Sequence, residues 1–368
     1  MSMSKFEKAV EILSKLISIP SPSGREEEIS YYIYDYLTSI GFKPELQEVY
    51  KTGYNVLVKL GRGDKIMICG HLDTIPQLDM KEPYKPVVKD GRIYGRGACD
   101  MKGGLTSMLL TLEELSEKNI EPDVVFAFVV DEEMYGRGAS ELMIRNVKTK
   151  TCIILEPTSM DICIGNAGCI EFKLRVYGRS GHGASRNKDN AILNFYEVYK
   201  ILEEKIEKEF TVNMEYSMKP IFNLGKLVGG YGGWVVPGEA EGEVLIHFHP
   251  EISYSRILAF LKEEISKLNA RKNVKIEFEP IHGCDGFLVE TEYVEMLSEI
   301  HKKILRSDPK KRIVESETDA NALFHKAGIE CIIYGPGDIQ YAHSSEENIS
   351  IKEVLDAADV LVEFLRRL

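Results

Sequence analysis

The sequence has no apolar run long enough to cross a bilayer. Its longest, residues 124–130, spans seven positions, where a membrane helix needs about 20. The amino terminus is polar and carries Lys and Glu, without the apolar stretch of a secretory signal, so a cytoplasmic location is expected. Positive charge is in deficit. A net charge of −12 gives the sequence-independent attraction to nucleic acid or an anionic membrane the wrong sign, and neither is expected as a partner. No C-x-x-C pair occurs among the seven cysteines (69, 99, 152, 163, 169, 284 and 331). An odd count inside apolar segments fits reduced, buried thiols. Tryptophan occurs once, at Trp234, and there is no internal repeat, low-complexity linker or charge block.

What is present reads as a soluble globular chain, 44% hydrophobic and 28% charged. At 368 residues it exceeds what one hydrophobic core usually organises, so two domains are expected. Phe6, Val10, Leu13 and Ile17 recur at helical spacing and predict a helix over 4–18. Ser21-Pro-Ser-Gly breaks it, and a second helix follows from about 25 to 40, closed by Gly41. Four short apolar runs, 66–69, 124–130, 152–155 and 331–334, read as strands covered on both faces, as in the mixed, mostly parallel sheet of an α/β domain flanked by helices. Each ends in polar residues: His71-Leu-Asp73, Asp131-Glu132-Glu133, Glu156 and Gly335-Pro-Gly. Ligands in open α/β sheets bind at the carboxyl ends of strands, so these endings should converge.

The middle of the chain reads differently: strand 170–177, helix 190–208, strands 221–228 and 241–249, helix 253–268, strand 274–279. That order is the ferredoxin-like βαββαβ pattern. The expected division is therefore a catalytic domain of residues 1–167 and 282–368, interrupted by an insertion at 168–281.

Taken singly, the polar strand ends are ambiguous. His71-x-Asp73 is either a capped turn or a metal-ligating imidazole oriented by a carboxylate. The glycine-rich stretch Gly95-Arg-Gly-Ala-Cys-Asp100-Met-Lys-Gly-Gly104 lacks phosphate-loop spacing, and its acid would repel an anion. Its glycines more readily bring Asp100 close between two cations. Asp131-Glu132-Glu133 is either a solvated acidic loop or a pair of acids of which one binds metal and the other acts as base. Glu156 and His343 complete the set. Together, two histidines and several carboxylates at strand ends are what two adjacent divalent cations require; zinc suits the mixed donors, with cobalt or manganese as alternatives. The remaining histidines (247, 249, 282, 301 and 325) lack a strand-end setting, and most read as packing or surface residues.

At this point the sequence resembles the zinc metallopeptidase family that contains acetylornithine deacetylase, succinyl-diaminopimelate desuccinylase, aminoacylase and carboxypeptidase G. The matching pieces are Gly70-His-Leu-Asp-Thr-Ile-Pro76, the Gly95–Gly104 stretch, Asp131-Glu-Glu133, Leu155-Glu-Pro-Thr158, Ser180-Gly-His-Gly-Ala184 and Ala342-His343. They fall in the family's order across nearly the whole chain. Asn223-Leu-Gly and the Gly-Pro-Gly…Ala-His…Glu run look most like the acetylornithine deacetylase branch. The resemblance implies one zinc held by His71, Asp100 and Glu156 and a second held by Asp100, Glu133 and His343. It makes Asp73 the orienter of His71 and Glu132 the general base. The insertion becomes a lid and dimerisation domain, whose His182 stabilises the oxyanion across a homodimer or on lid closure.

Two departures bear on the substrate. The family usually grips a carboxylate with Asn-x-x-Pro and Asp-x-Arg in the lid strands. Here Trp234-Val-Val-Pro237 and Leu245-Ile-His247 stand in those places, putting Trp234 and His247 at the anion-binding positions, with Arg186 or Lys188 as a substitute cation. The expected activity is hydrolysis of the amide of a small N-acyl amino acid, in arginine or lysine biosynthesis. A dipeptidase or carboxypeptidase on the same centre is the alternative, and a silent metal-binding scaffold a weaker one.

Overall fold

A computed structural model describes residues 3–144, 149–185, 189–213, 216–272 and 275–368. The chain divides into two units, one of residues 1–165, 289–312 and 318–368, the other of 166–288 and 313–317.

In the first unit the apolar runs form the centre of a mixed sheet. Val124–Val129, Ile66–His71, Thr151–Ile154 and Glu330–Ile333 lie side by side in that order and run parallel. Gly53–Leu60 and then Glu45–Tyr50 extend it antiparallel on one side, and Ile162–Asn166 pairs antiparallel with Glu330–Ile333 on the other. Every residue of the two strands Ile66–His71 and Val124–Val129 is buried, as strands covered on both faces must be. Among the covering elements, helix Gly103–Glu117 packs against Ile351–Arg366 and Lys5–Ser18, and Glu27–Ser39 packs on strand Gly53–Leu60. Because the central strands are parallel and His71 pairs with Val129 while Cys69 pairs with Ile154, the chain leaves all three strands at one edge. That edge carries His71, the 131–133 turn and Glu156.

The second unit is an antiparallel sheet in the order Ile221–Gly229, Glu239–Phe248, Gly168–Tyr177, Ile276–Cys284. Helices Ala191–Phe210 and Tyr254–Lys272 intervene in sequence, giving the ferredoxin-like order. Alternation does the sorting: Ile170, Phe172, Leu174 and Val176 point one way and join Phe195, Leu202, Ile257 and Leu261 in the core. Strand Ile276–Cys284 continues past position 279, where the sequence predicted its end. Pro280 is accommodated because this is an edge strand, and the ladder absorbs it with a register shift between Pro280 and His282. The expected start at 274 lies outside the described residues. Among the described residues, no helix is long and apolar enough to cross a membrane.

Candidate active site

The Asp100 carboxylate is shared between two imidazoles. Its Oδ1 lies 3.0 Å from His71 Nε2 and its Oδ2 lies 3.5 Å from His343 Nε2. Glu156 Oε1 is 3.7 Å from His71 Nε2, and Glu133 Oε2 is 3.0 Å from His343 Nε2. Two ligand sets result, His71–Asp100–Glu156 and Asp100–Glu133–His343, each with its donor atoms within 4.8 Å of one another; His71, Glu132 and Glu133 form a third such grouping. All these residues belong to the first unit.

The backbone explains why they meet. Gly97 has φ 80°, a left-handed conformation that a side chain would disfavour, and the following turn, 98–102, holds Asp100 in extended backbone (φ −122°, ψ 98°). Glu347, buried, clamps this turn: its carboxylate accepts hydrogen bonds from the backbone N–H groups of Gly97 (2.9 Å), Cys99 (3.0 Å) and Asp100 (3.1 Å) and pairs with buried Arg96 (2.7 Å). Lys102 Nζ donates to the carbonyls of Leu16 and Ile19, both at 2.9 Å, and fixes the turn to the end of the first helix.

Asp73 does two things. Its carbonyl oxygen lies 3.0 Å from His71 Nδ1 and its Oδ1 3.6 Å away, which leaves Nε2 facing Asp100. Its carboxylate accepts the backbone N–H of Glu132 and of Glu133, each at 3.0 Å, and the Ser23 hydroxyl at 2.7 Å. The acid beside the histidine thus also sets the turn that presents the next two acids. Asp131 takes no part in the ligand sets; it holds Arg137 through two side-chain bonds, of 2.5 and 2.9 Å.

The electrostatics call for added positive charge. Burial, then the negative neighbours Glu156 and Glu133, push the Glu132 carboxyl well above its ordinary range despite His71. Burial, then Asp100 and Asp319, do the same to Glu156. Burial opposes charge on His343, yet Asp100 and Glu133 push it up to about 10. Glu156 Oε1 is buried with no hydrogen-bond partner among the described residues. A carboxylate oxygen left so, beside an imidazole and a second acid, is what a cation would satisfy. The nitrogen and oxygen donors of both sets therefore fit divalent metal ions.

In the second unit, His182 pairs with Val235 in a short ribbon of Gly181–His182 and Val235–Val236. The Trp234 carbonyl accepts from Gly183 N–H at 2.7 Å, so His182 and Trp234 share one exposed structure; the Trp234 side chain is 83% exposed. His182 Nδ1 accepts from Ala184 N–H at 3.1 Å, which makes Nε2 the protonated, donating nitrogen of the neutral ring. His247 is half-buried on strand Glu239–Phe248, opposite Cys169. Arg186 and Lys188 lie outside the described residues. Sequence reasoning gave no role to Glu347 or Asp319. A lone acid after a Ser-Ser-Glu loop, and another heading a helix, carry no pattern that announces a clamp or a buried charge.

The site is an α/β sheet edge bearing two carboxylate–imidazole groups of the kind that could hold metal ions. Residues 67–367 match Peptidase family M20/M25/M40, and the chain belongs to that family. Over nearly its full length it is similar to three relatives. The N-formyl-4-amino-5-aminomethyl-2-methylpyrimidine deformylase of Bacillus subtilis is 26% identical, over 98% of this chain and 94% of that one. The LysW-lysine/LysW-ornithine hydrolase of Sulfurisphaera tokodaii is 28% identical, over 98% and 96%. The acetylornithine deacetylase of Photorhabdus laumondii is 26% identical, over 93% and 92%. In fold the chain is similar to a tripeptidase of Staphylococcus aureus, with a TM-score of 0.78 at 20% identity, covering 100% of both chains.

Proposed function

We propose that the protein hydrolyses the amide bond of a small N-acylated amino acid at a two-zinc centre. The observation that carries this is the division of one buried carboxylate, Asp100, between His71 and His343. His71, Asp100 and Glu156 would hold one ion, and Asp100, Glu133 and His343 the other. When bound, two such ions supply Lewis acidity to the scissile carbonyl and lower the pKa of the attacking water.

The chain's own residues do the rest. Glu132, presented by the Asp73-bound turn, takes the proton of the attacking water on its carboxylate and delivers it to the leaving amine nitrogen. Asp73 keeps His71 and the Glu132 turn in register. His182, with its Nε2–H free to donate, stabilises the oxyanion, and the second unit serves as lid and dimerisation surface. Seven cysteines without a disulfide are consistent with a cytoplasmic protein.

The small-molecule reading draws on relatives named as an acetylornithine deacetylase and an N-formyl-4-amino-5-aminomethyl-2-methylpyrimidine deformylase. The test is free-amine release from N-acetyl and N-succinyl amino acids and dipeptides, with zinc or cobalt added, for wild type and Glu132→Gln. Turnover of an N-acyl amino acid, reduced by a factor of about 100 or more in Glu132→Gln with metal content unchanged, is expected. Turnover of dipeptides alone would replace this reading with a peptidase. No turnover by the metal-loaded protein would leave only a scaffold.

A further inference from the structure

A second group of ligand-type side chains lies wholly within the ferredoxin-like unit. Cys169 and Cys284 face each other across adjacent strands, with their Sγ atoms 3.9 Å apart. His282, two residues before Cys284, projects from the same face and brings Nε2 to 2.9 Å from Glu317 Oε2. Cys169 Sγ is 2.9 Å from the same oxygen. The four donor atoms fall within 4.8 Å of one another.

We infer that Cys169, His282, Cys284 and Glu317 form a separate zinc site, in which two thiolates, one imidazole and one carboxylate surround a single tetrahedral ion. A tetrahedron with Zn–S of about 2.3 Å and Zn–N and Zn–O of about 2.0–2.2 Å has S–S edges near 3.8 Å and N–O edges near 3.3 Å. The observed S–S separation is 3.9 Å and the His282 Nε2 to Glu317 Oε1 separation is 3.2 Å. The 2.9 Å between Cys169 Sγ and Glu317 Oε2 must open, and the Glu317 side chain, 33% exposed, has room to turn. The donor set is the one zinc takes in preference to harder ions, and the three strand residues already converge through the ladder. Cys169 is buried on the sheet face opposite the helices, a face that otherwise carries Glu171, Lys173 and Arg175 on this strand. His247, directly opposite Cys169 on its other neighbour, places a second imidazole on that face.

The site has a structural purpose. Glu317 ends the 313–317 segment, which returns to this unit through Ala167 N–H to Val314 O (2.8 Å) and Asn166 to Ser316 O (3.1 Å). An ion shared by Glu317 and the sheet fastens that segment to this unit. Loading balances simply: Zn²⁺ binds as the two thiols release their protons to solvent, with no change of oxidation state.

The test is zinc content per chain of the full-length protein, purified without chelator under reducing conditions and dialysed against zinc-free buffer. Wild type is compared with Cys169→Ser/Cys284→Ser and with His282→Ala, a mild change at an exposed position. Each variant should hold one zinc fewer than wild type while keeping its amidase turnover. Cobalt-loaded wild type should show a near-ultraviolet thiolate-to-cobalt band that the double variant lacks. Equal zinc in wild type and His282→Ala, together with no thiolate band, overturns the site. So does a Cys169–Cys284 disulfide found by thiol titration of that preparation. If the double variant does not fold, His282→Ala and the wild-type cobalt spectrum decide.

Discussion

Glu26 shows how one buried carboxyl away from the ligand sets makes stability depend on pH. Burial pushes it up to about 7 from an ordinary value of 4.5, although the Tyr50 hydroxyl and the Gly24 N–H stabilise its charge. A raised carboxyl pKa means that between those values the folded chain keeps a proton the unfolded chain has lost. Stability conferred by that proton is complete below the unfolded value and falls as pH rises toward 7. Glu26→Gln mimics the protonated form and does not titrate. Its thermal midpoint should exceed that of wild type at about pH 8, and the gap should close at about pH 4. A gap of the same size at both pH values would show that the substitution acts through packing rather than charge. At this scale the sequence told which side chains could do chemistry but not which were buried. The sequence offered His71, Asp100, Glu133, Glu156 and His343 as candidates through strand ends, a glycine-rich stretch and a family resemblance, and the structure brings them close together. Glu26 and Glu347 were not offered, since their burial comes from contacts made by residues far away in sequence.

The elements carrying the site depend on close approach of backbone to backbone. Helix Gly103–Glu117 begins directly after the Asp100 turn, and a Cβ at Gly104 would lie 2.4 Å from the Leu155 carbonyl oxygen and 2.8 Å from Met101 Cε. The first of these atoms is main chain and cannot swing aside. Gly104→Ala should therefore push the helix from the strand end that presents Glu156, costing about 1–3 kcal/mol by denaturant unfolding and lowering metal content. A variant within about 0.5 kcal/mol of wild type, with full metal, would mean that the helix and strand are not locked together there. The helices at 5–18 and 27–39 and the βαββαβ order were readable from the sequence pattern, and the four central parallel strands from their continuous apolar runs. The end of strand Ile276–Cys284 was not, because a proline reads as a stop unless the strand is known to be an edge. That misplaced end hid His282 and Cys284, so the cluster they join had no signature in sequence spacing.

For the molecule as a whole, the net charge of −12 understates how unevenly negative charge is placed. Asp73, Asp100, Glu156 and Asp319 are buried in the first unit, with Glu132 and Glu133 beside them, and only His71 and His343 provide cationic partners within the ligand sets. Carboxylates so arranged repel one another unless protons or metal ions neutralise them, so the folded unit and its ions stabilise each other. An ion present at a thousandfold excess over its dissociation constant adds about 4 kcal/mol to the folded state. Chelation should accordingly lower the thermal midpoint and abolish turnover together, and added zinc or cobalt should restore both. The Cys169→Ser/Cys284→Ser protein separates the two proposed sites in the same experiment. Its activity should still fall on chelation and return with metal, because the ligands proposed for the catalytic centre lie in the other unit. Metal-free protein with wild-type turnover would remove the two-ion centre. A double variant whose turnover ignores chelation while wild type responds would move the catalytic dependence on metal to the cysteine cluster.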